Sequence, residues 1–483
     1  MVVQENTERR KAEAMDGDEE EPVTPAGRFF LQPDVEAIIN CVIGLKLPID
    51  IESTKAETCK TLLNHPRFCS ILVKDKRGVE CWRRTHVDID QHMIFPSQFQ
   101  GDDGNEERVD EEDDGESVNR YLAELAVSSP LDLKKPPWEI HVLKSQRCCV
   151  LRLHHALGDG TSLMSLFLAS CRRVDEPDLL PTLPTGKSTN TSRARPGLAE
   201  KVWEWTAVVC LTVVYVVEFV LRSLWVRDGK TAISGGAGVE MWPRKVATAK
   251  FDLQDMKLVK KAVNGTINDV LFGIISYGLA KYLKLRSSRE LEGLLRITGL
   301  ALVNTRQLPG LQDPSNMMKK GSKSRWGNQM GYIVLPIYLG KVEDPLKYLR
   351  RAKAMLDRKK LSLEARFSYW MGSLVMSLLG PKLATILNYR VMANTTFTIS
   401  NLMGPQEEIM FAGNPIAYLR TTSTSLPHAL TMHMVSYKGK ADMQILVAKD
   451  IIPDPHILAK CFQDALHEMK DLVTNMVHEG SAT

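Results

Sequence analysis

His154-His155-Ala156-Leu157-Gly158-Asp159-Gly160 is the stretch of this sequence that decides its fold and its chemistry. It follows a mostly apolar run, Cys148 to Leu153, and precedes Thr161 to Cys171, which predicts a helix. The two histidines are therefore expected where a strand gives way to a loop, a place that often carries reacting groups. A neutral imidazole can remove a proton from a hydroxyl near neutral pH, and a carboxylate can fix its tautomer or its loop. The motif indicates general-base chemistry.

Two other interpretations of the motif remain open from the residues alone. The histidines could pack structurally at the strand end, or they could form a pair of zinc ligands. Adjacent strand residues point to opposite faces, so His154 and His155 would not easily chelate one ion. Gly158 and Gly160 permit the tight backbone that brings the motif together. We favour the general base and predict no metal site.

Composition bounds the class of protein. A chain of 483 residues is too long for one ordinary core, so two domains are expected. The hydrophobic fraction of 44% and the charged fraction of 25% are typical of globular proteins. A net charge of +4 is too small to indicate nucleic-acid binding. Nine cysteines without the spacing of metal ligands favour reduced thiols facing the cytosol. Residues 1–23 predict a disordered tail rather than a secretory signal.

Further motifs along the chain support a family resemblance. The motifs are Pro25 to Phe30, Pro130-Leu131-Asp132 through Pro137-Trp138-Glu139, Asn268-Asp269-Val270, Val303 to Arg306, and Ser400 to Pro405. With these motifs and the histidine motif, the chain resembles plant members of the wax ester synthase/diacylglycerol acyltransferase family, which belongs to the chloramphenicol-acetyltransferase-like superfamily. The resemblance implies an α/β fold of two chloramphenicol-acetyltransferase-like domains with a tunnel between them. We place these domains at 24–174 and 246–483, joined by a linker at 175–245.

The resemblance also implies the roles of the motif residues. His155 would be the base that activates a fatty alcohol or the free hydroxyl of a diacylglycerol, which attacks an acyl-CoA thioester without an acyl-enzyme. Acyl-CoA is then a co-substrate, and no other cofactor is expected. His154 would shape the loop or donate a hydrogen bond, and Asp159 and Gly160 would keep its geometry. Either Arg28 or Arg306 would hold Asp159.

Substrate contacts are expected at three positions. Asn268, Asn401 and Gly404 belong to motifs of the family, and the Gly404 turn would lie near the acyl-CoA passage. Thr266 or Asn268 can instead cap the helix that begins there, so capping and substrate contact are both open for Asn268. The residues that bind coenzyme A stay unassigned.

Residues 203–226 predict a membrane-associated helix in the linker. Thirteen residues from Trp205 to Val217 carry no charge, but Glu204, Glu218 and Arg222 interrupt the stretch. If His155 builds one site with motifs after this helix, a single crossing would separate them across the bilayer. We therefore favour a helix that lies in or re-enters the membrane interface over a true span or a buried core helix. The resemblance implies the endoplasmic reticulum membrane, or also the plasma membrane, with the site facing the cytosol.

Patterns elsewhere predict local structure. Val35 to Leu45 is apolar enough for a helix, and 101–116 is an acidic block expected to be a mobile loop. Residues 308–326 predict a polar, mobile loop with a basic cluster at Lys319, Lys320, Lys323 and Arg325, which is either solvated or meets phosphates. Gly380-Pro381 should end or kink the helix from Glu364. His428 and His433 are interpreted as structural.

Two competing functions remain. A soluble acyltransferase of the same fold, acting on another alcohol or amine, predicts no membrane-active helix. A non-catalytic lipid-binding protein predicts a damaged histidine motif, whereas His155 and Asp159 are both present. The sequence does not decide between fatty alcohol and diacylglycerol as acceptor.

Overall fold

The computed structural model of the chain describes residues 20–100, 111–182, 197–287, 291, 293–306, 312–319, 322, 325–340 and 344–481. It is a mixed α/β molecule in which two large sheets carry most of the strands. The strands are β1 (Glu21–Pro22), β2 (Ile38–Leu45), β3 (Ser70–Lys74), β4 (Glu80–Arg84), β5 (Met93–Ile94), β6 (Trp138–Leu143), β7 (Cys148–His154), β8 (Cys171–Arg173), β9 (Arg244–Asp252), β10 (Leu295–Asn304), β11 (Met330–Leu339), β12 (Phe397–Met403), β13 (Ile409–Phe411), β14 (Asn414–Ser423), β15 (Leu430–Tyr437) and β16 (Lys440–Ala448). The helices are α1 (Pro25–Phe30), α2 (Ile51–Thr61), α3 (Glu111–Ser128), α4 (Gly160–Ala169), α5 (Leu198–Leu224), α6 (Leu253–Ala262), α7 (Ile267–Arg286), α8 (Pro314–Met317), α9 (Pro345–Leu361), α10 (Glu364–Ala393) and α11 (Pro455–Ser481).

The first sheet is built around β2, which was expected to be a helix. Its strand order is β5-β6-β7-β2-β14-β13-β8, so β2 pairs with β7 on one side and β14 on the other. Seven of the eight β2 side chains are buried. A strand covered on both faces reads as a continuous apolar run, and that pattern alone does not separate it from a short buried helix. The helix prediction for Val35 to Leu45 was wrong for this reason.

The second sheet has the order β11-β10-β12-β15-β16-β9. Strands β10, β12 and β15 run parallel to one another, and the other neighbours pair antiparallel. Helix α7 packs its buried face, from Val270 to Leu283, into the core under this sheet together with α11. The predicted strands at Arg296 to Val303 and Gly331 to Tyr338 are confirmed as β10 and β11.

The C-terminal half of the chain contributes two strands to the first sheet. Strands β13 and β14 come from this half, yet β14 pairs with β2 and β13 pairs with β8 in the first sheet. The division predicted at residue 246 therefore does not coincide with the division between the sheets. These two strands tie the halves of the chain together.

Helix α5 confirms the predicted apolar helix and belongs to a pair. Both α5 and α10 are long and apolar enough to cross a bilayer. They pack against each other, and only 17% of the most apolar stretch of each is buried. This rules out the buried core helix that the sequence left open. Gly380, at φ 80° and ψ 171°, kinks α10 as predicted, but the helix continues to Ala393.

The ends of these helices are anchored in the folded body. The Arg222 side chain is buried and donates to Asp228, to the Asn394 backbone oxygen at 3.0 Å, and to Thr298 Oγ1 of β10 at 2.8 Å. The charged edge of α5 therefore faces the protein at this end, which leaves the apolar remainder facing outward. The interruption of the apolar stretch at Arg222 is thus an anchor.

Chain connectivity argues against a crossing by either helix. His155 precedes α5 in the chain and forms a hydrogen bond with Asn328, which lies between α5 and α10. Strand β10 precedes α10 and strand β12 follows it, yet the two strands pair with each other. A segment between two crossings would lie on the opposite side of the bilayer from the segments before and after it. These direct contacts are incompatible with such a separation.

Three smaller predictions differ from the structure. Glu21–Pro22, within the expected tail, pairs with β4, while residues 1–19 lie outside the described residues. The acidic segment 101–110 is also outside them, and residues 111–116 form the start of α3. Within the expected loop 308–326, Met317 and Trp326 are buried; Lys320 and Lys323 are not among the described residues.

Candidate active site

The histidine motif is a strand end followed by a tight turn and a capped helix. Strand β7 ends at His154, residues His155–Leu157 form a single helical turn, and α4 begins at Gly160. Asp159 is the N-cap of α4, where its Oδ1 accepts a hydrogen bond from the Ser162 backbone N–H at 3.0 Å. The distance along the chain from His154 to Asp159 is thus that of a strand end, one helical turn and the N-cap of the next helix.

The second oxygen of Asp159 decides between the two candidate arginines. Asp159 Oδ2 accepts from Arg306 Nη1 at 2.6 Å and from the Gln329 backbone N–H at 2.9 Å. Arg306 also donates to Ser162 Oγ and to the Gly327 backbone oxygen. Arg28 instead donates to Glu80 at 2.7 Å. Asp159 therefore binds the backbone and Arg306, which are the contacts of a residue that orders the loop.

Asn328 fixes the tautomer of His155. Its amide Nδ2 donates to the His155 backbone oxygen at 2.8 Å, which turns its Oδ1 toward the imidazole. His155 Nδ1 lies 3.0 Å from this Oδ1 and must carry the hydrogen, because an amide oxygen only accepts. In the neutral ring Nε2 is then unprotonated.

Burial keeps the His155 ring neutral. It lowers the pKa of His155 below its usual value, although Asp159 and Asn328 act in the opposite direction. The Phe30 ring of α1 stacks on the imidazole with 4.0 Å between ring centroids and 20° between planes. The site therefore presents a neutral imidazole held in one orientation.

His154 serves the backbone of the turn. Its Nδ1 accepts from the Ala156 backbone N–H at 3.1 Å, so the loop-shaping contact uses the ring as an acceptor. Burial lowers the pKa of His154 to about 4, which keeps the ring neutral. The side chain is fully buried and points away from the cavity that His155 lines.

The nearby cysteines and serine are poorly suited to act as nucleophiles. Cys148 and Cys149 are buried in β7, and burial raises the pKa of Cys149 to about 12. Ser162 Oγ is buried among Arg306 and Gly327, with which it exchanges hydrogen bonds. A nucleophile needs a thiolate or a free hydroxyl beside a base, and none of these three side chains provides one.

His155 opens on a cavity of about 160 Å³ between the two sheets. Of the predicted site residues, His155, Asp159, Gly160 and Asn401 line it. Gly404 does not line it. Its N–H donates to the Ser436 backbone oxygen, and a Cβ at this position would collide with that oxygen. Glycine is therefore required here for the close packing of the chain after β12 on β15.

Asn268 lies beside the cavity rather than in it. Thr266 caps α7 in a reciprocal pair with Asp269, so Asn268 is not the cap. The Asn268 side-chain oxygen accepts from Asn401 Nδ2 at 2.7 Å, and both residues are exposed. The two asparagines form a polar mouth where the cavity reaches solvent.

His433 is a cavity residue that the sequence interpretation missed. Its ring lines the cavity, Nδ1 is buried without a hydrogen-bond partner, and burial lowers its pKa to about 4. His428 is structural as predicted: it is buried and bonds Thr395 and Thr398. His428 lies before β15 begins and His433 lies within it, so strand alternation does not relate the two rings, and only His433 faces the cavity.

An apolar pocket extends the cavity on the α4 side. It shares Gly160, Leu402 and Val435 with the cavity and continues between Leu163 and Ile39. Its wall is almost entirely hydrocarbon, which suits an alkyl chain.

Comparisons with known proteins agree with this geometry. Residues 118–271 match the family model described as the wax ester synthase/diacylglycerol acyltransferase catalytic domain, and 326–470 match the C-terminal domain of that family. Wax ester synthase/diacylglycerol acyltransferase 5 of Arabidopsis thaliana is 35% identical over 98% of this chain and 96% of its own length. The chain belongs to the wax ester synthase/diacylglycerol acyltransferase family. It is therefore an acyltransferase.

Solved structures show the fold of this acyltransferase. The wax ester synthase/diacylglycerol acyltransferase from Marinobacter aquaeolei VT8 superposes with a TM-score of 0.56 at 15% identity, covering 94% of this chain and 100% of that one. The first condensation domain of the calcium-dependent antibiotic synthetase gives 0.54 at 12% identity, covering 95% and 97%. The predicted chloramphenicol-acetyltransferase-like architecture is confirmed.

The acyltransferase site also uses a segment that no motif indicated. Trp326 to Gln329 follows the polar loop and supplies Asn328 to His155 and the Gln329 N–H to Asp159. Trp326 Nε1 donates to the Leu157 backbone oxygen at 2.8 Å. A Trp-Gly-Asn sequence directly before a buried strand is the one signal that could have found it.

No cluster of three metal-ligating side chains occurs among the residues that the structure describes.

Proposed function

We propose that this acyltransferase esterifies a long-chain alcohol or a diacylglycerol with the acyl group of an acyl-CoA, using His155 as general base. The observation that carries the proposal is the Asn328 contact, which holds the hydrogen on Nδ1 and leaves Nε2 as the acceptor. A base needs its lone pair directed at the acceptor hydroxyl, and the ring lines the cavity where that hydroxyl would lie.

The reaction is a direct transfer. His155 Nε2 takes the hydroxyl proton as the acceptor oxygen bonds to the thioester carbonyl carbon. The carbon–sulfur bond then breaks, and the imidazolium returns the proton to the departing thiolate of coenzyme A. The burial of Cys149 and the bonded state of Ser162 support a route without an acyl-enzyme.

The walls of the cavity support the two substrates. The apolar pocket beside Leu163 suits the acyl chain. The polar mouth at Asn268 and Asn401 suits the hydrophilic coenzyme A portion. Both asparagines are thus proposed as substrate contacts, while Gly404 acts through packing.

We place the reaction at the endoplasmic reticulum membrane, or also the plasma membrane, with the site on the cytosolic side. The exposed apolar faces of α5 and α10 support membrane association, and nine cysteines without metal spacing suit a reducing compartment. Imaging of a fluorescent fusion together with organelle markers tests this location. These faces also disfavour a soluble enzyme, and the ordered motif disfavours a silent lipid-binding protein.

The test of the function is a direct assay. Purified protein receives labelled acyl-CoA with either a long-chain alcohol or a diacylglycerol, and ester formation is measured for each. We expect turnover, and we expect His155→Ala to lower kcat about 10²- to 10⁴-fold, as for loss of a general base. The matched control is His456→Ala at an exposed histidine of α11. A folded His155→Ala protein with wild-type turnover would contradict the assignment.

A further inference from the structure

A second cavity adjoins the catalytic one on the side away from the acyl pocket. It lies between α1 and the inner face of α10, and Phe30, Met330 and Tyr332 line both cavities. On the α10 side its wall includes Gly372, Ser373 and Met376. The two cavities therefore meet at Phe30, directly beside the His155 ring.

Helix α10 lines this cavity with some of its side chains and carries exposed apolar side chains on another face. On its outer face Leu378 is 72% exposed and Trp370 59% exposed. Helix α5 packs alongside and adds Trp203, which is 74% exposed. We call this outer surface of α5 and α10 the apolar face.

The chemistry of the apolar face fits a lipid bilayer. Its exposed large apolar side chains are those of tryptophan, valine, leucine and isoleucine, and exposed patches of such side chains mark membrane or protein contacts. At its border, Arg351 and Arg358 of α9 line a groove with Tyr215 of α5. Basic side chains beside an apolar face are complementary to anionic lipid headgroups.

Phe30 stands where the two cavities join. Its ring covers the imidazole of His155 in a stacked arrangement, so an acceptor coming from the α10 side would have to displace it. The helix break at Gly380 lies in α10, next to the exposed Leu378 and Leu379. The break leaves the two halves of α10 without continuous helical hydrogen bonding.

We infer that the acceptor lipid reaches His155 sideways from the bilayer, through the cavity under α10 and past Phe30, while acyl-CoA approaches from the polar mouth at Asn268 and Asn401. The inference rests on the proposed function and adds a route and a partner surface to it.

Gly372→Leu is the decisive variant. A Cβ at Gly372 would meet no atom within 4 Å, so the new side chain can occupy the passage without displacing its neighbours. We expect turnover of a hexadecanol acceptor, supplied in vesicles of phosphatidylcholine and phosphatidylserine, to fall at least tenfold. Turnover of butanol, which needs no membrane route, and the KM for acyl-CoA should stay within about twofold of wild type.

The matched control adds the same side chain on the other side of the same helix. Ser377 is exposed, so Ser377→Leu should leave turnover of both alcohols unchanged. Vesicle flotation of both variants should equal that of wild type, which separates a blocked passage from lost membrane binding.

The outcomes separate the route from the function. Full hexadecanol turnover by Gly372→Leu, an equal loss with both alcohols, or absence of wild-type flotation with these vesicles would overturn the route. If wild type esterifies neither hexadecanol nor butanol, the proposed function itself fails. Wild-type activity combined with a selective loss of hexadecanol turnover supports both.

Discussion

At the scale of single residues, the site depends on a neutral amide where many catalytic histidines have a carboxylate partner. Asn328 orients His155 by one bond to its ring and one to its backbone oxygen, while Asp159 is committed to Arg306 and to the cap of α4. A neutral partner fixes the tautomer and stabilises the imidazolium less than a carboxylate would. Burial then keeps the pKa of His155 low, so the ring is ready to accept a proton.

Asn328→Asp tests this arrangement through pH. Since burial lowers the wild-type pKa of His155, the acid limb of kcat should lie below the ordinary histidine value of about 6.5. A carboxylate beside Nδ1 would favour the protonated ring and move that limb upward by roughly 1–3 pH units. The measurement is kcat against pH from 4.5 to 9. An unmoved limb in a folded Asn328→Asp protein would show that His155 is not the titrating base.

Asn328→Ala is the companion variant at this position. It removes the acceptor at Nδ1 without adding charge, so kcat should fall through loss of the tautomer preference. Its acid limb should stay below that of Asn328→Asp.

At the scale of elements, helices α5 and α10 are outward-facing helices held by buried polar anchors. Lys359 of α9 pairs with Glu364 of α10 at 2.8 Å, and both side chains are almost fully buried. Lys359 Nζ also lies 3.5 Å from the centre of the Tyr215 ring of α5, and Glu364 accepts from the Val334 N–H of β11. This one cluster joins three helices to the second sheet.

Lys359→Met should be strongly destabilising. It leaves Glu364 charged and buried without its partner, which typically costs about 3–5 kcal/mol. The double variant Lys359→Met/Glu364→Gln should recover part of the loss, because glutamine can still accept from the Val334 N–H and carries no charge. Thermal unfolding followed by circular dichroism measures both. If the double variant is less stable than Lys359→Met alone, the anchoring role of the pair is wrong.

At the scale of the whole molecule, the two sheets enclose histidines that are neutral only because the protein is folded. Burial lowers the pKa of His65 and His428 to about 3 and that of His154 and His433 to about 4. In the unfolded chain these rings take up protons near pH 6.5. Their contribution to stability is therefore complete above pH 6.5 and is lost as the pH falls toward 3–4.

The expected result is a Tm that falls between pH 6.5 and pH 4.5. Each of these histidines contributes up to about 1.4 kcal/mol per pH unit within its window. His65→Asn should make the fall shallower, since asparagine can still accept from the Arg67 N–H but does not titrate. His456→Ala, at an exposed histidine, should leave the slope unchanged. A Tm that is constant over this range would contradict the linkage.

The sequence by itself determined the parts of this protein that local chain chemistry encodes. The strand end, turn and cap of His154 to Gly160 are set within seven neighbouring residues. The apolar stretch of α5 and the break at Gly380-Pro381 likewise follow from composition and backbone preference. The family resemblance then supplied the fold, because its motifs occur in order along the chain.

Only the tertiary structure decided which distant groups meet. The sequence left Arg28 and Arg306 equal as partners of Asp159, gave no sign of Asn328, and treated His433 as structural. It also read β2 as a helix, since a strand covered on both faces loses its alternation. Asn328 lies 173 residues from His155 along the chain. Contacts over such distances depend on how β10, β12 and β15 align beside β7 and β14, and no local pattern records that alignment.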